Sequence, residues 1–323
     1  MPRTADLTFC NLQARAGGLD PVGHAGTVDL LVAFELPLPW PYGLWGCAGM
    51  PPEVRDLIAL WYGDADVPRP QLRPLVMAPD PTYSAPGLRR MLVYRRPEGK
   101  FADLSQTEYL VPEGELGRLV WAAVLEPEKL PAFAQYALPE TPGTRDLFVC
   151  THGAVDAACA KFGFPLYRQL REAAGAGVRV WRASHFGGHV FAPTLAELPS
   201  GRFWGYLDGD APAALLSQEG AVGDLYSRYR GWSALTTPFL QAAEREVLRL
   251  EGWPWLGVAK QGETLSEGSG WAEVRLSYRR PDGYEGAYHA RVQLAAPVET
   301  PHDSGGKLHS YRQYKVVKLA KGA

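Results

Sequence analysis

One order of elements occurs twice in this chain, and it restricts the fold more than any other feature. Leu30 to Leu36 (LLVAFEL) is an apolar run of strand length. Pro51 to Trp61 then places Pro at a helix start and sets Val54, Leu57, Ile58 and Trp61 at helical spacing. Strand-like runs follow at Leu72–Met77, Arg90–Tyr94 and Glu108–Val111, with a short helix over Leu116–Val124. The second pass opens on the strand Asp146–Cys150 (DLFVC) and the helix Ala157–Ala174, which carries Leu166, Leu170 and Ala173 on one face. Strands at Val178–Arg182, Gly188–Leu195 and Arg202–Leu207 continue it, and Ala211–Tyr229 reads as mainly helical. A strand, a helix and a further strand imply a parallel pair joined by a crossover. The fold class is therefore α/β. The two βαβββ passes are either related units, the first without the ligand residues of the second, or two cases of a common order. A shared strand order distinguishes these.

The rest of the chain differs. A helix over Pro238–Leu250 precedes strand-like stretches at Trp255–Ala259, Ala272–Tyr278, Tyr288–Leu294 and Tyr311–Leu319, with a hairpin turn at Pro281-Asp282-Gly283. This predicts a small antiparallel sheet. The expected division is an N-terminal α/β unit at 1–143, a second α/β domain at 144–250 and a C-terminal antiparallel β extension at 251–323. With 28 Pro and 35 Gly, turns are frequent and long helices few.

Charge removes several function classes. The chain has 33 basic and 35 acidic residues, so no broad basic field exists to neutralise nucleic-acid phosphates. The apolar runs are far shorter than the ~20 residues of a membrane helix. Met1 to Cys10 carries Arg3 and Asp6 and lacks the apolar core of a secretory leader. The expected compartment is the cytoplasm, where structural disulfides are rare. The four cysteines, Cys10, Cys47, Cys150 and Cys159, are then ligands, reactive groups or small core residues.

Ligand-type residues are densest between Cys150 and His189. Cys150 and Cys159 form C-x8-C, and His185 and His189 form H-x3-H about one helix and one strand later. Two thiolates and two imidazoles offer four metal bonds. Cys150 ends a strand, Cys159 lies near a helix N-terminus that favours thiolate, and His185 follows the next strand, so all can gather at one sheet edge. Gly187 and Gly188 oppose a helix between the histidines and predict a tight loop that lets the backbone approach an inorganic group. C-x8-C is wider than a zinc knuckle. A 2Fe–2S cluster accepts two Cys and two His; Cys150-Thr-His152 gives one C-x-H, but the C-x2-H partner of a Rieske centre is absent. H-E-x-x-H and C-x-x-C are absent too. A cluster, a zinc ion and a reactive thiol stay open on these residues alone.

The motif Cys-Thr-His-Gly-x2-Asp-x2-Cys-Ala-x-Phe-Gly-x-Pro-Leu at Cys150–Leu166 resembles the sucrase/ferredoxin-like family. So do Val-Trp-x2-Ser-His-x-Gly-Gly-His-x-Phe-Ala-Pro-Thr at Val180–Thr194 and Leu-Pro-x-Gly at Leu198–Gly201. Tyr229-Arg230-Gly231, Gln241 to Glu244, Gly26-Thr27 and Pro39-Trp40 are weaker landmarks of the same family. The resemblance implies a thioredoxin-like 2Fe–2S ferredoxin domain at 144–250, with Cys150, Cys159, His185 and His189 as cluster ligands. Val190 departs from the family's usual Arg after the second histidine, so one charge near the cluster is missing.

The expected function is electron transfer by one 2Fe–2S cluster, with proton-coupled redox, toward a redox partner protein. A zinc-stabilised interaction module and a thiol-dependent oxidoreductase are the alternatives. An electron carrier fits better than an enzyme, and no carboxylate pair supports sucrase chemistry. His152 reads as a polar loop residue, Asp156 as a helix cap, and Trp181 and Phe186 as shielding for the centre. Cys10 and Cys47 read as core residues, and His24, His289, His302 and His309 as structural or exposed.

Overall fold

In the computed structural model, which describes residues 8–63 and 71–322, a short helix α1 (Cys10–Ala16) precedes β1 (Leu30–Glu35). The leader reading falls mainly on residues 1–7, outside the described ones. β1 is buried along its whole length, as a central strand of an α/β sheet must be. Leu30, Val32 and Phe34 face one core, while Leu31 and Ala33 face another, the period-2 alternation of a strand. α2 (Pro52–Gly63) carries the chain to β2 (Leu72–Met77), parallel to β1. β3 (Leu88–Arg95) lies antiparallel on the other edge of β1, and β4 (Ser105–Pro112) antiparallel on β3. α3 (Leu116–Leu125) covers the face that also receives α2.

The second half repeats these moves. β5 (Arg145–Cys150) and β6 (Val178–Ala183) are parallel and joined by α4 (Ala157–Ala173). β7 (Leu195–Leu198) is antiparallel to β5, and β8 (Arg202–Trp204) to β7. The orders β4-β3-β1-β2 and β8-β7-β5-β6 are the same. A common order is what related units require. The halves meet through the C-terminal ends of β2 and β6, where Met77 pairs antiparallel with Ala183. Ser184 N–H donates to the Val76 carbonyl at 2.7 Å, and Ala78 N–H to the Arg182 carbonyl at 2.9 Å. One mixed sheet of nine strands therefore runs across residue 143, and the C-terminal edges of both halves lie at its middle.

Four expected boundaries change. Gly188–Leu195 is not a strand, because Gly187 and Gly188 have φ of +93° and +83°; a 3-10 turn at His189–Phe191 follows, and β7 starts only at Leu195. Arg202–Leu207 shortens to the three residues of β8. The helix expected to reach Tyr229 ends as α5 (Ala211–Ser217), and Tyr229–Trp232 becomes β9, paired with β8. Trp255–Ala259 is mostly a 3-10 turn at Trp253–Gly257.

α6 (Pro238–Glu251) starts at Thr237, whose hydroxyl accepts from Leu240 N–H at 3.2 Å. Its Leu240, Ala243 and Val247 pack on the small antiparallel sheet β10 (Ala259–Gly268), β11 (Trp271–Arg279), β12 (Glu285–Pro301) and β13 (Leu308–Gly322). Glu251, at the helix end, accepts from Lys321 at 2.8 Å, Arg280 at 2.9 Å and the Tyr288 hydroxyl. Burial raises its carboxyl, but the Lys321 and Tyr288 hydrogen bonds outweigh this and hold it below the usual range. A depressed carboxylate contributes stability above its unfolded pKa of about 4.3 and loses it as pH falls through the folded value. Glu251→Gln is expected to cost about 1 kcal/mol at neutral pH and less in acid. Urea titrations at pH 7 and pH 3 check this; an equal loss at both contradicts it.

No helix among the described residues is long and apolar enough to cross a membrane.

Candidate metal centre

Alternation along β5 turns Leu147 and Val149 toward α4 and α6, and Phe148 and Cys150 toward the opposite face with Trp181, Ala183 and Phe186. The chain then turns through residues 151–156, where Asp156 caps α4 by accepting from Ala158 N–H at 2.7 Å. Cys159 falls in the first turn of that helix. Gly163, one turn on, passes so close to β5 that a Cβ there would stand 1.9 Å from the Cys150 carbonyl oxygen. That contact fixes α4 against the strand and brings the two thiols together.

His185 follows β6. Its Nδ1 lies 3.8 Å from Cys150 Sγ and 3.7 Å from Cys159 Sγ. One donor atom from each of the three residues lies within 4.8 Å of the others. Both cysteines are 1% exposed. Cys159 donates its S–H toward Cys150, which holds the Cys150 thiol well below its ordinary value; the His185 hydrogen bond adds to this, and burial opposes it. The same hydrogen bond, with burial, drives Cys159 up.

His189 sits in the 3-10 turn, its ring 5.2 Å from that of His185. Its Nε2 is 2.8 Å from the His302 carbonyl and 3.2 Å from Asp303 Oδ1. A carbonyl only accepts, so Nε2 carries the proton and Nδ1 presents a bare lone pair. That Nδ1 is buried and has no partner. Burial, with His185 nearby, lowers the pKa of His189 and favours the neutral ring a metal needs.

The residues that orient His189 come from far away. The tip of the β12–β13 hairpin supplies the His302 carbonyl and Asp303, and Ser304 N–H and Oγ both donate to Asp156. His302 Nδ1 meets the Tyr311 hydroxyl at 2.7 Å. Cys10 of α1 lies 3.8 Å from Asp156 Oδ1 and 3.7 Å from the His189 carbonyl. Burial pushes its thiol up to about 12, so it stays protonated. Sequence reasoning missed this role for His302, Ser304 and Cys10. Nothing local marks them.

Other expected roles are settled by contacts. His152 receives His185 N–H on Nδ1 at 3.4 Å and bonds the Pro41 carbonyl through Nε2 at 3.0 Å, so both ring nitrogens serve the loop. Trp40, from the equivalent loop of the first half, packs edge-on against it. Trp181 and Phe186 are buried beside the thiols. The glycine reading changes. Gly188 faces the Arg230 guanidinium, 2.4 Å from where a Cβ would stand, so the close approach belongs to a side chain of β9.

A family model described as sucrase/ferredoxin-like matches residues 55–231, more than half of the chain. The chain belongs to the sucrase/ferredoxin-like family. The matched stretch opens in α2, spans all four converging residues and closes in β9. Searches among curated proteins and among solved structures found no match. In this sucrase/ferredoxin-like chain, two sulfurs and the His185 imidazole form a soft donor set, while His189 groups with Cys10 and Asp156 and with His302 and Asp303, its Nδ1 buried and without a partner. The donor set fits a metal group.

Proposed function

We propose that this protein is a one-electron carrier whose 2Fe–2S cluster is held by Cys150, Cys159, His185 and His189. The observation that supports this best is the convergence of both sulfurs on His185 Nδ1, with the ring of His189, whose Nδ1 has no partner, 5.2 Å from that of His185. Bound there, such a cluster exchanges single electrons, at a higher potential than an all-cysteine one because neutral imidazoles replace two thiolates. The chain holds the thiols on β5 and α4, fixes the His189 tautomer from the hairpin, and excludes water with Trp181 and Phe186. The proton on His189 Nε2, between the His302 carbonyl and Asp303, supplies the proton-coupled part of the reading. A midpoint potential flat between about pH 6 and 10 excludes that part.

A redox protein is the expected partner. Four free cysteines suit a reducing compartment such as the cytoplasm. The near-complete burial of both sulfurs weighs against a nucleophilic thiol.

One observation favours a second reading. Donors around a single tetrahedral ion with bonds of about 2.0–2.3 Å stand roughly 3.5–3.8 Å apart, and the His185–sulfur separations of 3.7 and 3.8 Å match this. Three protein donors would then hold a zinc ion. Purification without oxygen decides between them. Iron with equal acid-labile sulfide and visible absorption supports the cluster; a colourless protein with one zinc, unchanged by iron–sulfide reconstitution, supports the ion.

A further inference from the structure

Arg230 is the least expected charge near the centre. It is 4% exposed, projects from β9, and lies between the rings of Phe191 and Phe203. Its Nη1 donates to the Gly187 carbonyl at 3.1 Å and its Nη2 to the His24 carbonyl at 2.7 Å, while Nε has no partner. Among the described residues it makes no ion pair. Burying a guanidinium costs several kcal/mol unless an opposite charge offsets it. Tyr206 is a neutral neighbour, because burial raises its phenol far above neutrality. Arg73 adds a second positive charge, not a negative one. Burial and Arg73 push the guanidinium down to about 10, which leaves it charged at neutral pH.

The same side chain explains the double glycine. Gly187 offers its carbonyl to Arg230, and Gly188 leaves the space that the guanidinium fills. The loop between the two histidines therefore rests on Arg230. Val190 brings no charge to this loop, and a guanidinium reaches it from another strand instead.

We propose that Arg230 is a positioning residue of the metal centre, seating the His185–His189 loop through Gly187 and holding a fixed positive charge against that loop, so that the loaded centre accepts an electron more readily. This rests on the cluster reading above. The charge stays put as an electron arrives from a one-electron donor, and it offsets the added negative charge without a proton.

Redox titration with dithionite on the cluster-loaded protein tests the charge. At a fixed ambient potential, Arg230→Gln is expected to lower the reduced-to-oxidised ratio at least tenfold, about 59 mV for a one-electron couple. Arg230→Lys, which keeps the charge, stays within about threefold of the parent. An unchanged ratio in Arg230→Gln, or equal drops in both variants, overturns the charge role. Hydrogen exchange on the cluster-free protein tests the seating: amides 186–190 are expected to exchange faster in both variants, since Lys lacks the guanidinium fork. Unchanged exchange overturns that half. If Arg230→Gln does not fold, Gly188→Ala displaces the guanidinium instead and carries the same expected fall in ratio; no fall overturns the charge role. A parent protein that takes up no iron overturns the cluster reading, whereas a loaded parent with an indifferent Arg230→Gln overturns only the proposal.

Discussion

Cys150→Ala and Cys159→Ala are each expected to abolish cluster loading, giving colourless protein with neither iron nor sulfide, while Cys47→Ala loads fully. The contrast follows from position. Cys150 and Cys159 share His185 Nδ1 at 3.8 and 3.7 Å, whereas Cys47 is half-buried in the first half among Leu36, Trp40 and Gly49. Removing one of the four proposed ligands would leave an open metal position and an unpaired polar pocket, which costs more than a lost contact. The histidines are separable from the cysteines by a swap. His185→Cys and His189→Cys are expected to keep a cluster, with the potential falling toward the roughly −400 mV typical of all-cysteine centres. Iron and sulfide assays with redox titration read both results. Full loading of Cys150→Ala sinks the site as described.

Gly163→Ala is the second large effect. A Cβ on α4 at this position stands 1.9 Å from the Cys150 carbonyl oxygen and 3.1 Å from its carbon, both backbone atoms that cannot swing aside. The helix must retreat from β5. We expect a loss of about 3 kcal/mol in urea unfolding, the upper range for overpacking. Cys159 rides on the same helix one turn earlier, so loading should fall with stability. Gly175→Ala is the control, because nothing stands within 4 Å of its added Cβ, and it is expected to change stability by less than about 0.5 kcal/mol. Equal behaviour of the two variants would refute the role given to the helix–strand contact.

The parts of the site legible in the sequence were those set by short-range rules. Cys150 ends an apolar strand, Cys159 opens a capped helix and His185 follows the next strand, so pattern and crossover geometry alone bring them together. The repeated order of elements was legible for the same reason, whereas the strand order it shares came only with the pairing of the strands. The junction of the halves was not: its sheet pairing is one residue pair, Met77 with Ala183, and two flanking backbone hydrogen bonds, at the ends of two strands that otherwise read as edges. His302, Ser304 and Cys10 carry no motif, because a carbonyl or hydroxyl supplied from another element leaves no periodicity behind. The tight loop at Gly187 and Gly188 was legible, but not the Arg230 guanidinium beside Gly188. Positive φ can be guessed from a Gly-Gly pair, whereas the identity of what fills the space beside it requires β9, over 40 residues away.

The hydrogen bond from His189 to the His302 carbonyl crosses 113 residues. During synthesis the two thiols and both histidines leave the ribosome long before the hairpin that orients His189. A nascent chain therefore holds all four donors with one ring still free to turn. On the cluster reading, secure loading would belong to the finished polypeptide, and a chain cut short before His302 would lack that fastening even though every proposed ligand had been made.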